Sequence, residues 1–149
     1  RSMSLPDALS DPQKRQAVIR DATDVLNAEV RDKGGVSGIA VKATFKMVRG
    51  LSPNFIPQTI DALLDDFASK VQPFYEDWAG GGRNGSCSGY FQSRGGEVAD
   101  ALLSITDDRA RESNHRSLVK AYNKLRPRGR AHVVASMARV GSLIEKYAE

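Results

Sequence analysis

From Val18 to Tyr147 the apolar residues of this 149-residue chain recur three or four positions apart, and no stretch alternates apolar and polar residues with period two. The first spacing lines one face of an α-helix, whereas the second would line one face of a strand. The contrast predicts an all-α fold, a compact bundle of six or seven helices without a sheet. No unit of 20–50 residues repeats, which argues against a solenoid. A chain of this length can bury about 68–70% of its unfolded surface, and 40% of its residues are apolar, so one unassisted core suffices. We expect a single helical domain over residues 3–149. Arg1 and Ser2 read as residues left by cloning, with Met3 as the native start.

The helix boundaries follow from caps and breakers. Asp11 caps a helix that begins at Pro12 and runs to about residue 32, where Gly34 and Gly35 stop it. Ser37 can cap a second helix to about Arg49. In that segment Val36, Ile39, Ala43 and Met47 share one face while Val41, Phe45 and Val48 share another. So broad an apolar surface, with small Gly38, Ala40 and Ala43, predicts a central helix closely surrounded by others. Lys42, Lys46 and Arg49 form its remaining stripe. A third helix begins near Phe55 and buries Ile60, Leu63, Leu64, Phe67 and Val71, until Pro73 kinks or interrupts it. A short aromatic turn then carries Phe74, Tyr75 and Trp78. The spacing of Phe74 and Trp78 predicts that the tryptophan docks into the core. Residues 80–89, rich in glycine, read as a loop, with the three consecutive glycines making it mobile. Helices follow over about 88–113, broken at Gly95 and Gly96, over 116–126, and over 130–148 after a break at Pro127 and Gly129.

Cys87 is the only cysteine, so no internal disulfide can form, and there is no basic-then-apolar leader. No apolar run approaches the roughly 20 residues that span a bilayer. A cytoplasmic protein without a membrane role is the expectation. The net charge of +4 hides an imbalance: +3 over residues 1–49, −6 over 50–108 and +7 over 109–149. Such a pattern suits either charge matching between neighbouring helices or an anionic partner.

No catalytic or metal-binding constellation stands out, and no cofactor is expected. Gly80, Gly82 and Gly85 match G-x-G-x-x-G, yet the loop follows a helix and no βαβ unit surrounds it; a connector is the better reading than a phosphate cradle. His115 and His132 lie 17 positions apart with no HExxH or CxxC, which excludes a structural zinc site. Ser113, His115, Asp107 and Asp108 supply triad residue types without a reason to converge. Ser113 reads as a helix cap, His115 as a surface residue and Cys87 as inert. Carboxylates of the acidic middle helix, Asp61, Asp65 and Asp66, leave an Mg²⁺-assisted enzyme as a further alternative.

The strongest charge feature is the basic end. Arg116, Lys120, Lys124, Arg126, Arg128 and Arg130 form a candidate anion-binding set, since arginine-rich surfaces suit phosphate oxygens. A helix, a Pro-Arg-Gly turn and a helix there would also suit a helix-turn-helix, but the last helix offers only His132, Ser136 and Arg139 for base edges. Any nucleic-acid binding should be weak, nonspecific and salt-dependent.

Gly35-Val-Ser-Gly-Ile-Ala-Val-Lys-Ala, Val71-Gln-Pro-Phe-Tyr-Glu-Asp-Trp, Ala99-Asp-Ala-Leu-Leu-Ser-Ile-Thr-Asp, Val119-Lys-Ala-Tyr-Asn-Lys-Leu-Arg and Leu143-Ile-Glu-Lys-Tyr-Ala together resemble a small actinobacterial family of unknown function. The resemblance covers nearly the whole chain from Met3 and implies an all-helical, bacterial, cytoplasmic and complete protein. It carries no activity, and the glycine loop is longer here than in that family. The expected role is a non-enzymatic helical module that binds a protein partner or itself.

Overall fold

The computed structural model describes residues 4–148; Arg1–Met3, where the expected cloning residues and native start fall, and Glu149 lie outside the described residues. Eight helices follow one another, and no strand occurs among the described residues: α1 (Leu5–Ala8), α2 (Pro12–Asp32), α3 (Gly35–Arg49), α4 (Phe55–Gly80), α5 (Cys87–Ser93), α6 (Gly95–Glu112), α7 (Arg116–Ala135) and α8 (Met137–Tyr147). Asp11 caps α2 as its sequence dictates, its carboxylate accepting the Gln13 N–H at 2.9 Å. Tyr75, Trp78, Cys87, Phe91, Val98 and Met137 form the centre, contributed by α4, α5, α6 and α8, with Val18 and Ile19 of α2 and Leu5 of α1 closing one side.

Neither expected proline break occurs. Pro73 sits inside a continuous 26-residue α4 and Pro127 inside a continuous 20-residue α7. An interior proline loses one hydrogen bond and crowds the preceding turn, at a cost of about 3 kcal/mol. Around Pro73, Val71, Tyr75 and Trp78 are all buried. Each large apolar side chain fully buried contributes about 1.5–3 kcal/mol, so three anchors on both sides of the proline outweigh its cost. The chain therefore has no aromatic turn after residue 73: Phe74, Tyr75 and Trp78 belong to α4. Nor is there a turn at Pro127-Arg-Gly129, which removes the helix-turn-helix reading; the break between α7 and α8 falls at Ser136.

The glycine loop is shorter than its composition implies. Gly80 ends α4, and Cys87 opens α5 with Ser86 as its cap, the hydroxyl accepting the Gly89 N–H at 2.9 Å. Between them the Arg83 N–H donates to the Trp78 carbonyl at 3.1 Å and the Gly82 N–H to the Ala79 carbonyl at 3.3 Å. This pair of bonds is a Schellman closure, and Gly82 holds its left-handed position with φ +88°. Amides of the G-x-G-x-x-G stretch thus finish a helix instead of cradling a phosphate. Trp78 Nε1–H donates to the Gly85 carbonyl at 3.3 Å, and the Arg83 guanidinium lies over the Trp78 ring at 5.4 Å and donates to the Tyr75 hydroxyl at 3.2 Å. Substituting Gly82→Ala should cost about 1–2 kcal/mol, the strain of a side chain in left-handed backbone, because a methyl there meets no atom within 4 Å. Urea unfolding measures it; an unchanged midpoint would mean that the closure is dispensable.

α3 lies at the edge, contrary to the expectation of a central helix. It buries only Gly38, Val41 and Thr44 and contributes no residue to the central cluster. Gly38 is needed for the tight turn from α2 into α3, since a Cβ there would fall 2.7 Å from the Lys33 carbonyl carbon and oxygen. Ser37 is not the cap: Gly34 holds that position, and Ser37 lies within the helix. α7 is the second edge helix and has no buried residue at all.

Candidate interaction surface

Because Val41 and Thr44 take the inner side of α3, its other apolar face is left to solvent. Val36 is 85% exposed, Ile39 70%, Met47 46% and Leu51, just beyond the helix, 43%. Scattered exposed apolar residues are normal, but these are the large exposed ones of the described residues, and they fall on one helix and its following turn. A contiguous patch of this kind marks an interaction site. Val36, Ala40, Ala43 and Met47 run along it at spacings of four, three and four, so the middle of the stripe is low and its ends are bulky. Lys42 and Lys46 are exposed along one edge. Arg49 is turned back onto the protein, donating to the Asn27 side chain at 2.7 Å and lying over the Phe45 ring at 5.9 Å.

The six candidate anion-binding residues of the basic end divide into two sets. Arg126 grips Asp107 of α6 through Nε at 2.8 Å and Nη2 at 3.1 Å. Arg130 holds Asp100 through Nε at 2.8 Å. Hydrogen bonds from Arg126 and Tyr122 hold Asp107 below the usual carboxylate range. These two arginines are structural partners of α6. Arg116, Lys120, Lys124 and Arg128 form an exposed row at successive i, i+4 positions of α7, and no ion pair ties them to the described residues. The acidic middle of the chain is thus matched internally: Arg15 also binds Asp61 and Asp65, each at 2.8 Å, and Arg109 binds Asp66 at 3.1 Å.

α3 and α7 meet where Ser37 Oγ lies 3.1 Å from His132 Nε2. Burial, then the nearby Lys33 and Arg128 charges, push the His132 imidazolium below its ordinary value. A histidine whose folded value is depressed stabilises the fold above the unfolded value, near 6.5, and the contribution is lost as pH falls through the folded value. Lowering pH from neutrality towards 5 should therefore destabilise the protein, and His132→Gln should flatten that slope. Denaturant midpoints across this range measure it; equal slopes would remove His132 as the cause. The carboxylates held low by arginine titrate in a more acidic window and do not contribute here.

Other sequence candidates do not assemble into chemistry. Asp61, Asp65 and Asp66 face arginines, and among the described residues no group of three or more His, Cys, Asp or Glu side chains is placed to hold a metal. An open cleft of about 680 Å³ between α4 and α6 contains Asp66, Lys70, Asp108, Arg109 and Glu112, but Asp66 and Asp108 accept from Arg109 and Arg111. His115 caps α7 through Nδ1, with its own N–H on Ser113 Oγ at 3.1 Å. Asp107 lies instead against Arg126, so the triad types do not converge. Cys87 is fully buried, and burial together with the Glu145 charge pushes its thiol up to about 11. A protonated, enclosed thiol is a poor nucleophile, as the inert reading requires.

The exposed α3 face escaped sequence reasoning because both of its apolar stripes look equally suited to a core. One signal was present: alone among the eight helices, α3 and α7 carry cations and no carboxylate. A helix without opposite charges of its own offers less for neighbouring helices to match.

No helix among the described residues is long and apolar enough to cross a membrane. The model of a family of unknown function, DUF6918, matches residues 5–148, and the chain belongs to that family. No curated protein matches the chain, and no solved structure does.

Proposed function

We propose that this member of a family of unknown function is a non-enzymatic interaction module, one domain over residues 3–149, that docks a protein through the outer face of α3. The observation that carries the reading is the contiguous exposure of Val36, Ile39, Met47 and Leu51 on one edge helix, since apolar patches of this kind mark binding surfaces. Pairing of the acidic middle with internal arginines removes the support that an Mg²⁺-assisted enzyme would need. On the sequence resemblance and the single cysteine, we infer the cytoplasm of an actinobacterium as its setting.

The test is affinity capture from native lysate with the wild-type chain and Ile39→Asp in parallel. Ile39 is 70% exposed, so the variant should keep its circular dichroism and melting temperature. Loss of retained proteins with the fold intact is the expected result. Identical capture by both chains would overturn the α3 reading.

A second reading rests on the exposed row Arg116, Lys120, Lys124 and Arg128, which would bind an anionic ligand or nucleic acid weakly. Arg126 and Arg130 contribute less, because Asp107 and Asp100 already occupy them. Binding to duplexes of unrelated sequence should then fall with salt at a slope of about −0.9 per phosphate neutralised. No binding at low salt would return the row to a solvated helix face.

A further inference from the structure

We infer that the occupant of the α3 face is an amphipathic helix of another protein, apolar along its seam and acidic along one flank. The inference rests on the reading of α3 as the docking face and adds the chemistry of what docks there.

Shape points to a helix. Val36, Ala40, Ala43 and Met47 repeat at the four-three-four spacing of a heptad seam, the pattern by which one helix lies along another. Ala40 and Ala43 keep the centre low, while Val36 and Ile39 at one end and Met47 and Leu51 at the other stand out. A second helix can lie close in such a trough, anchored at both ends. A bilayer would be met better by a continuous ridge of large side chains, which two alanines interrupt.

Charge selects which helix. Lys42 and Lys46 border the stripe at i, i+4, and no ion pair or hydrogen bond ties them to the described residues. α3 carries no carboxylate. The Ser37–His132 contact places α7 against the other side of α3, since Ser37 stands about 180° round the helix from Lys46, so the Lys42–Lys46 pair alone sets the charge of its edge. An acidic flank would pair with this edge, and such rim charges set partner choice and encounter rate more than raw affinity. A second copy of the chain fits poorly. Antiparallel α3 helices would set the Lys42–Lys46 edge against itself, and parallel ones would offer it no carboxylate from α3. Like charges brought together discriminate against that pairing.

The purified full chain is titrated with two labelled synthetic helices of about three heptads, both with a leucine seam, one flanked by glutamate and the other by lysine. Fluorescence anisotropy should show the glutamate peptide binding roughly tenfold tighter, the combined effect expected of two rim charges changed from repulsion to attraction. The double variant Lys42→Glu, Lys46→Glu should reverse the preference, and Ile39→Asp should abolish binding of both peptides. Equal affinity for the two peptides would sink the acidic occupant while leaving α3 as a docking face. If neither peptide binds, the inference fails; two further measurements then assign the face. Sedimentation showing a dimer lost in Ile39→Asp would give it to a second copy, and flotation with phosphatidylserine vesicles would give it to a bilayer. Failure of the docking-face reading itself shows separately, as lysate capture unaffected by Ile39→Asp.

Discussion

Trp78→Ala lowers the unfolding free energy by roughly 3–5 kcal/mol, the range for large-to-small changes at buried aromatic positions. Trp78 is 4% exposed and belongs to the central cluster. Its ring lies 6.0 Å from that of Tyr75 and under the Arg83 guanidinium, while its N–H bonds the Gly85 carbonyl. One side chain therefore fills the core and ties the 81–86 loop to α4. Truncation opens a cavity and removes both the ring contacts and the loop anchor. Domains are commonly stable by only about 5–15 kcal/mol, so the variant should be partly unfolded at temperatures where the wild type is not. Urea titration followed by far-UV circular dichroism gives the magnitude. A loss below about 1 kcal/mol, well under the cavity range, would show that the loop and α4 close over the site without the indole.

Gly141→Leu should destabilise by about 3 kcal/mol or more, at or beyond the upper end of ordinary overpacking. α8 crosses the start of α5 so closely that a Cβ at residue 141 would lie 2.6 Å from Ser88 Cα, 2.9 Å from the Cys87 carbonyl oxygen and 3.0 Å from the Ser88 nitrogen. All three are backbone atoms, so relief requires the helices to move apart. That motion strains the bond from Ser88 Oγ–H to the Ala138 carbonyl, 2.9 Å, and the bond from the Cys87 N–H to Glu145, 3.3 Å. It also opens the packing around Met137 and Phe91, both fully buried. Gly141→Ala tests the sign. Alanine gains about 0.8–1 kcal/mol of helix propensity over glycine, whereas overpacking costs about 1–3 kcal/mol. The net change should remain destabilising. A Gly141→Ala protein that melts at or above the wild-type temperature would show that the α5–α8 crossing yields without cost.

Much of this fold is legible because it is local. Asp11-Pro12 starts α2 whatever surrounds it, since an acceptor side chain and a proline at the first helical position act within one turn. The burial of Trp78 follows from its place beside Phe74 with Glu76 and Asp77 on the polar side. The start of α5 at Cys87 falls within one residue of the expected start near 88, but its cause was less accessible. Gly80 to Gly89 look uniformly loop-like, and what sets Cys87–Ser93 apart is the Ser86 cap together with the docking of Cys87 and Phe91 into the core, which no single turn reveals.

The candidate surface was legible only in its ingredients. Residues 36–51 show two apolar stripes and a basic one, and nothing within that segment says which stripe is covered. Likewise the cations of the basic end were visible, but their division into Arg126 and Arg130, held by α6, and the exposed row of Arg116, Lys120, Lys124 and Arg128 was not. Pairing depends on which carboxylates the topology brings alongside, and Asp107 and Asp100 lie 19 and 30 residues away from their partners.

By itself the sequence determined the class of fold and the capped start of α2, because helical periodicity and capping act over one to four residues. Tertiary structure decided that α4 and α7 continue through Pro73 and Pro127, that the inner side of α3 is the Val41 side, and which cations remain unpaired. In each case a local preference of a few kcal/mol or less competes with burial summed over side chains that distant segments provide. That sum exists only once the helices have packed.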